Sequence, residues 1–241
     1  MLVAKDIHKN FGDKNVLNGV DLTIKPGEIT CVIGPSGTGK TTLLRALGCL
    51  DYSDRGTLEI DGERFDFPLA KGAAQPHPWP RLTVVFQALF LWPHLTLREN
   101  IMLPASKYNE KAEQDLEGLI EIFDMHDFID KYPNEASIGQ RQRVALVRAL
   151  ILNPTYILMD EITSALDVEQ TAKILKKLSH LKDRGIGVFL ITHELGFARR
   201  AADHVVFMDG GKVVESGTPD ILARPKTKRL KQFLNMVEEF M

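Results

Sequence analysis

The sequence has few cysteines, no long apolar run and no excess of either charge. Two cysteines in 241 residues cannot staple a fold. Cys31 lies in a predicted buried strand and Cys49 in or just past a predicted helix, so both read as reduced core thiols. No stretch approaches the roughly 20 apolar residues that span a bilayer. The opening Met1-Leu2-Val3-Ala4-Lys5-Asp6 lacks the long apolar core of a signal peptide. The expectation is a soluble, cytoplasmic chain whose membrane role, if any, comes through a partner. Thirty Lys and Arg against 32 Asp and Glu leave a net charge of −2, which removes the bulk-charge case for nucleic acid. There is no internal repeat and no low-complexity tail. The length suits one large α/β domain or a domain with an inserted subdomain.

What is present centres on Gly34-Pro35-Ser36-Gly37-Thr38-Gly39-Lys40-Thr41. Glycine, four residues, glycine, lysine and then a hydroxyl residue is the pattern of a phosphate-binding loop. Its glycines let the backbone turn tightly enough for successive N–H groups to face phosphate oxygens. Lys40 supplies a charge for the β- and γ-phosphates, and the Thr41 hydroxyl is placed to ligate Mg²⁺. The context fits: Glu28 to Ile33 reads as a buried strand and Thr42 to Leu47 as a helix, whose N-terminus adds its own attraction for anions. A bland Gly-rich turn would not require that setting.

Along the chain, Leu2 to His8 and Gly19 to Ile24 alternate as antiparallel strands, with Phe11 between them. By itself Phe11 reads as a small satellite core residue. Gly56 to Gly62 reads as a strand ending in a turn, and Phe65 to Pro80, rich in Pro, Gly and Ala, as an irregular surface excursion. Thr83 to Phe86 is a short strand ending on Gln87. From Ala88 to about Leu152 the pattern is helical, clearest at Leu116, Leu119, Ile120 and Phe123. Tyr156 to Met159 returns to strand, and Ile174, Leu175, Leu178 and Leu181 mark a helix. Val188 to Ile191 is a strand, Asp209-Gly210-Gly211 a hairpin turn, and Leu230, Phe233, Leu234 and Val237 a final amphipathic helix. The predicted fold is α/β: a mostly parallel sheet flanked by helices, with an antiparallel β subdomain and a helical insertion.

In open parallel sheets, ligands sit at the carboxyl ends of the strands. Four predicted strands end on groups suited to a magnesium nucleotide: Gly34, Gln87, Asp160-Glu161 and His193. Asp160 suits Mg²⁺ through water, since that ion gives up its waters reluctantly. Glu161 suits a general base that orients water toward a γ-phosphate. Read alone, the paired acids could cap the next turn, His193 could be a core or capping histidine, and Asp167 could cap the helix after it.

At Ser137-Ile138-Gly139-Gln140-Arg141-Gln142-Arg143 and the following Val144 to Leu150, the chain resembles the ATP-binding subunit of ABC transporters. The resemblance covers nearly the whole chain, with the motifs in the family's order. It implies a P-loop NTPase core at residues 1–87 and 153–241 with a helical signature subdomain at 88–152. It also implies ATP and Mg²⁺ as ligands. Gly34, Pro35, Ser36, Gly37, Thr38, Gly39, Lys40, Thr41 and Thr42 correspond to the Walker A loop, and Gln87 to the Q-loop. Ser137 to Gln140 correspond to the signature motif, Ile157 to Asp160 to Walker B, and Glu161 to the catalytic glutamate. Asp167 falls in the D-loop, His193 at the switch histidine, and Phe11 and Val16 where the family packs adenine. Thr41, Gln87 and Asp160 are the implied metal residues, with Lys40, Glu161, His193 and Gln87 the implied catalytic set.

The resemblance further implies that two copies sandwich two ATPs head to tail, each Ser137 helix tip meeting the phosphate held by the other copy. Closure is then the power stroke and hydrolysis the release. The implied partners are membrane permease subunits, a second ATP-binding subunit and an extracytoplasmic solute-binding protein, with the chain peripheral on the inner face of the membrane. Ala136 and Ile138 depart from the family's Leu-Ser-Gly-Gly-Gln, Ile162 and Val168 replace frequent prolines, and Phe11 replaces a tyrosine. His193 to Arg199 and Phe207 to Gly211 look most like importers of polar amino acids. The alternatives are the ATPase of an exporter or lipoprotein-release system, a P-loop kinase acting on a small acceptor, and a non-enzymatic ATP-regulated module.

Overall fold

The computed structural model describes residues 1–73, 75–163 and 168–239. Two sheets stack around helix α1 (Lys40–Leu47). The first is antiparallel, in the order β2-β1-β4-β5, from β1 (Leu2–Phe11), β2 (Lys14–Ile24), β4 (Arg55–Ile60) and β5 (Glu63–Phe67). The second runs β10-β9-β3-β8-β7-β6. Its members are β3 (Ile29–Ile33), β6 (Leu82–Val85), β7 (Tyr156–Asp160), β8 (Gly187–Ile191), β9 (His204–Asp209) and β10 (Lys212–Gly217). All its pairings are parallel except the β9–β10 hairpin. This is the expected α/β fold with an added antiparallel sheet.

The central strands are covered on both faces, so they read as unbroken apolar runs rather than alternating ones. Every residue of β3, β7 and β8 is buried. Alternate side chains serve different cores. Val32, Leu158, Phe189 and Ile191 face α1 and the antiparallel sheet, with Leu43, Leu44 and Leu47. Ile29, Cys31, Ile33, Ile157, Met159 and Leu190 face the other helices. Between β6 and β7 lie α2 (Leu97–Ala105), α3 (Ala112–Ile122) and α4 (Ile138–Leu150). Leu116, Leu119, Ile120 and Phe123 are buried there, as their spacing predicts. The rest of that face is closed by α5 (Val168–Asp183), α6 (Leu195–Ala201) and α7 (Lys228–Glu239).

Three elements differ from the sequence reading. The first hairpin is longer than Leu2–His8 and Gly19–Ile24: it continues to Phe11 and restarts at Lys14, because Gly12 at φ 58° makes a tight turn. The Phe11 ring is 52% exposed at the tip and is not a satellite core residue. The segment read as irregular from Phe65 begins inside β5, an edge strand paired with β4. Residues 88–96 precede α2 and are not helical. Both cysteines are free, and burial pushes each thiol up to about 12, so both stay protonated. No helix among the described residues is long and apolar enough to cross a membrane.

Candidate functional site

The parallel register sets the site. Val32, Ile191 and Asp160 lie level at the carboxyl ends of neighbouring strands, and Val85 is level with Met159, one position before Asp160. The residues that follow, Gly34, Gln87, Glu161 and His193, therefore gather along one edge. Lys40 opens α1 directly after Gly39, whose φ is 96°, and no side chain caps that helix start. Its first amides are unclaimed donors at the positive end of a helix.

The Lys40 side chain folds back over the loop. Its Nζ donates to the carbonyl oxygens of Gly34 at 2.8 Å and Pro35 at 2.9 Å. Thr38 Oγ1 donates to the same Pro35 oxygen at 2.9 Å, which tightens the turn. Lys40 is only 6% exposed, and burial lowers its pKa, with Glu161 and Asp160 opposing that shift. The loop is braced from below by the first hairpin. A Cβ at Gly39 would lie 2.7 Å from the Val16 carbonyl oxygen, and one at Gly211 would lie 2.4 Å from the same atom. Asn18 completes this junction, its N–H donating to Gly211 O at 2.9 Å and its Nδ2 to Gly210 O at 3.1 Å.

Asp160 ends β7 and is buried. Burial raises its pKa, while a hydrogen bond from Thr41 works the other way. That bond brings the hydroxyl of the loop and the strand-end carboxylate to one point. A carboxylate and a hydroxyl beside a phosphate cradle are hard oxygen donors, which fits Mg²⁺. Among the described residues no group of three or more His, Cys, Asp or Glu side chains could hold a metal alone. Phosphate oxygens and water must complete any such shell.

Glu161 stands next to Asp160 with φ 46°, a conformation that costs a non-glycine residue roughly 1–2 kcal/mol. Its N–H is fixed on Ile191 O at 3.0 Å, and its Oε1 accepts from His193 Nε2 at 2.7 Å. The pair joins the ends of β7 and β8. Gln87 is exposed just past β6, on the same edge. Phe11 and Val16 lie on the hairpin beside the loop, with Lys9 Nζ 5.5 Å from the Phe11 ring.

Ser137 caps α4 as its sequence position suggests. Its Oγ accepts from Gln140 N at 3.3 Å, and Gln140 Oε1 accepts from Ser137 N at 2.8 Å, a reciprocal capping box. Ser137 and Ile138 are exposed and Gly139 is buried. Among the described residues, no hydrogen bond or ion pair joins this helix start to Lys40 or Glu161. Asp167 lies outside the described residues. Asn18 was not foreseen: its partners lie about 190 positions away, and no local pattern points to them.

A Gly-rich loop opening an uncapped helix, an acid-ended strand beside it and a glutamate–histidine pair on the next strand define a nucleotide-hydrolysing α/β protein. A protein-family model described as ABC transporter matches residues 17–164. The chain belongs to that family, among its ATP-hydrolysing, ATP-binding subunits. It is 40% identical to the L-cystine import ATP-binding protein TcyC of Bacillus subtilis (strain 168), over 98% of each chain. It is 38% identical to the glutamine transport ATP-binding protein GlnQ of Escherichia coli (strain K12), over 98% of this chain and 100% of that one. Among solved structures it resembles an ATP-binding cassette seen as a dimer in a post-hydrolysis state with ADP and Pi. There the TM-score is 0.78 with 31% identity, covering 91% of this chain and 99% of that one.

Proposed function

We propose that the chain powers import of a polar amino acid by a separate membrane permease, as one of two identical ATP-hydrolysing subunits at the inner membrane face. The observation that carries the catalytic half is the Glu161–His193 pair, 2.7 Å apart, beside the Thr41–Asp160 contact. The amino acid half rests on relatives matched over nearly the full chain, which are named for transport of cystine, glutamate, glutamine and arginine. A solute-binding protein outside the membrane belongs to the same reading.

In this reading Gly34 to Thr42 wrap the phosphates with main-chain amides, and Lys40 exchanges its carbonyl partners for phosphate oxygens. Thr41, Asp160 and Gln87 hold Mg²⁺, which when bound neutralises charge on the phosphate oxygens. Glu161 accepts a proton from the attacking water, and the His193 N–H keeps that carboxylate aimed. Phe11 and Val16 take the adenine by stacking and packing. Ser137, Gly139 and Gln140 act on the nucleotide held by the second copy, together with Asp167. Residues 88–152 carry that helix tip as a signature subdomain against a core of 1–87 and 153–241.

The test is reconstitution with a permease and solute-binding protein of the polar amino acid import type from the same organism, in vesicles loaded with ATP. A panel of polar amino acids should contain one that enters the vesicles and accelerates ATP hydrolysis. Hydrolysis indifferent to every amino acid, or ATP-driven movement in the opposite direction, would sink the import reading.

A further inference from the structure

The loop between Gln87 and α2 is gripped by two side chains from the helical segment. Asn100, fully buried in α2, accepts from Trp92 N at 2.7 Å through Oδ1. Its Nδ2 donates to the oxygens of Trp92, Leu95 and Thr96 at 3.1, 3.1 and 2.9 Å. Arg148, in the last turn of α4, donates from Nη1 to Phe90 O at 2.8 Å and from Nη2 to Leu89 O at 2.6 Å. Its guanidinium also lies 5.4 Å from the centre of the Trp92 ring.

Arg148 is an odd occupant for that place. It is half-buried, burial alone lowers its pKa, and no carboxylate among the described residues pairs with it. Desolvating an arginine without an acid partner is unfavourable unless its fork is used. Here the fork is spent on two main-chain oxygens within three residues of Gln87. At the other end, the loop touches the phosphate-loop helix: Phe90 packs edge-on against Phe86 at 5.8 Å, and the Arg45 guanidinium of α1 lies 5.9 Å from the Phe86 ring. An unbroken line of contacts thus runs from α1, through the Gln87 loop, to the helix that starts at Ser137.

We propose that Arg148 is a positioning residue for ATP hydrolysis: it binds the loop after Gln87 to α4, so that nucleotide sensed at Gln87 moves the Ser137 helix tip. The inference rests on the reading of Gln87 as part of the nucleotide site. The chain has two tryptophans, Trp79 and Trp92, so Trp79→Phe leaves Trp92 as the reporter of this loop. In that parent protein, Mg-ATP should shift Trp92 emission. Arg148→Met should remove most of the shift and lower kcat about tenfold or more while ATP Kd stays within about twofold. Arg148→Lys, a point charge in place of a fork, should fall between.

Unaltered kcat and emission in Arg148→Met would overturn the inference, as would a parent whose Trp92 ignores Mg-ATP. Loss of ATP binding in step with a lowered Tm would mean a merely structural side chain and would also overturn it. Should Arg148→Met not fold, Arg148→Lys decides, and full parental values there count against the clamp. A parent that hydrolyses no ATP defeats the functional reading along with this one. A parent with normal hydrolysis beside an unaffected Arg148→Met defeats this one alone.

Discussion

The helix that begins at Lys40 has no side chain over its first amides, whereas the helix that begins at Ile138 is closed by Ser137 and Gln140. The two starts also differ in surroundings. Lys40 is buried among loop carbonyls, and Ser137 is open to solvent. A helix start left without a cap is costly unless a ligand supplies acceptors, since its first N–H groups have no partner inside the helix. A capped start stands by itself, at a gain of about 1 kcal/mol from the cap. The comparison teaches that α1 leaves its first amides open to an anion, while α4 is closed by its own side chains and stable without one. The cap takes the Gln140 amide and does not reach those of Ile138 and Gly139.

The largest effect tests whether the two starts act on one ligand. Glu161→Gln should bind Mg-ATP normally, slow hydrolysis by on the order of 10²–10⁴, and accumulate a dimer. Gel filtration in Mg-ATP that shows only monomer would separate the two starts and remove the shared-nucleotide picture. Next comes Lys40→Ala, which attacks the uncapped start alone. One charge contact near 4 Å at an effective dielectric of about 20 is worth roughly 4 kcal/mol, so ATP affinity should fall about 100-fold or more. Unchanged binding by fluorescence titration would take Lys40 out of the site.

Smaller effects sharpen the contrast. Asp160 has a raised pKa in the folded protein, against an ordinary value of 3.8. The native state therefore holds that proton more tightly than the unfolded chain does, and this group's contribution to stability falls as pH rises through that interval. At neutral pH, Asp160→Asn should raise the Tm of the ligand-free protein by about 2–4 °C, the scale of 1 kcal/mol in a chain of this size. It should also abolish the extra stabilisation given by magnesium with ATP. A Tm that falls would mean the carboxylate is needed for the fold. The smallest change is at the capped start: Ile138, 42% exposed, puts a β-branched side chain on the tip. Ile138→Gly should strengthen ATP-dependent dimerisation by about threefold to tenfold, at a cost near 1 kcal/mol in helix stability. Sedimentation equilibrium reads the first and thermal melting the second.

The phosphate loop was legible because its chemistry is written in consecutive residues, and Gln87 and Asp160 because each directly follows an apolar run, with Glu161 and His193 one residue further beyond such a run. Ser137 and Gln140 came from the resemblance to the family, and the reciprocal bonds between them are a finding of the structure. What escaped was set by distance or by an edge. β5, with Arg64 and Asp66 paired on its surface, carries too few apolar residues to announce a strand and, among the described residues, pairs with β4 alone. The extension of the hairpin to Phe11 and Lys14 follows from pairing across strands, not from alternation along them. Arg148 is one polar position on an otherwise apolar helix face, and its carbonyl partners are 58 and 59 positions away.

The Val16 carbonyl oxygen is wedged between the backbones of Gly39 and Gly211. Neither glycine can gain even a methyl group without prising the first hairpin off the loop. An engineer wishing to alter this hairpin has freedom at Phe11, which is exposed at its tip, and none at those two positions. Redesign of this protein thus has a built-in keystone: the rim can be recarved, but the stone beneath it must stay smooth.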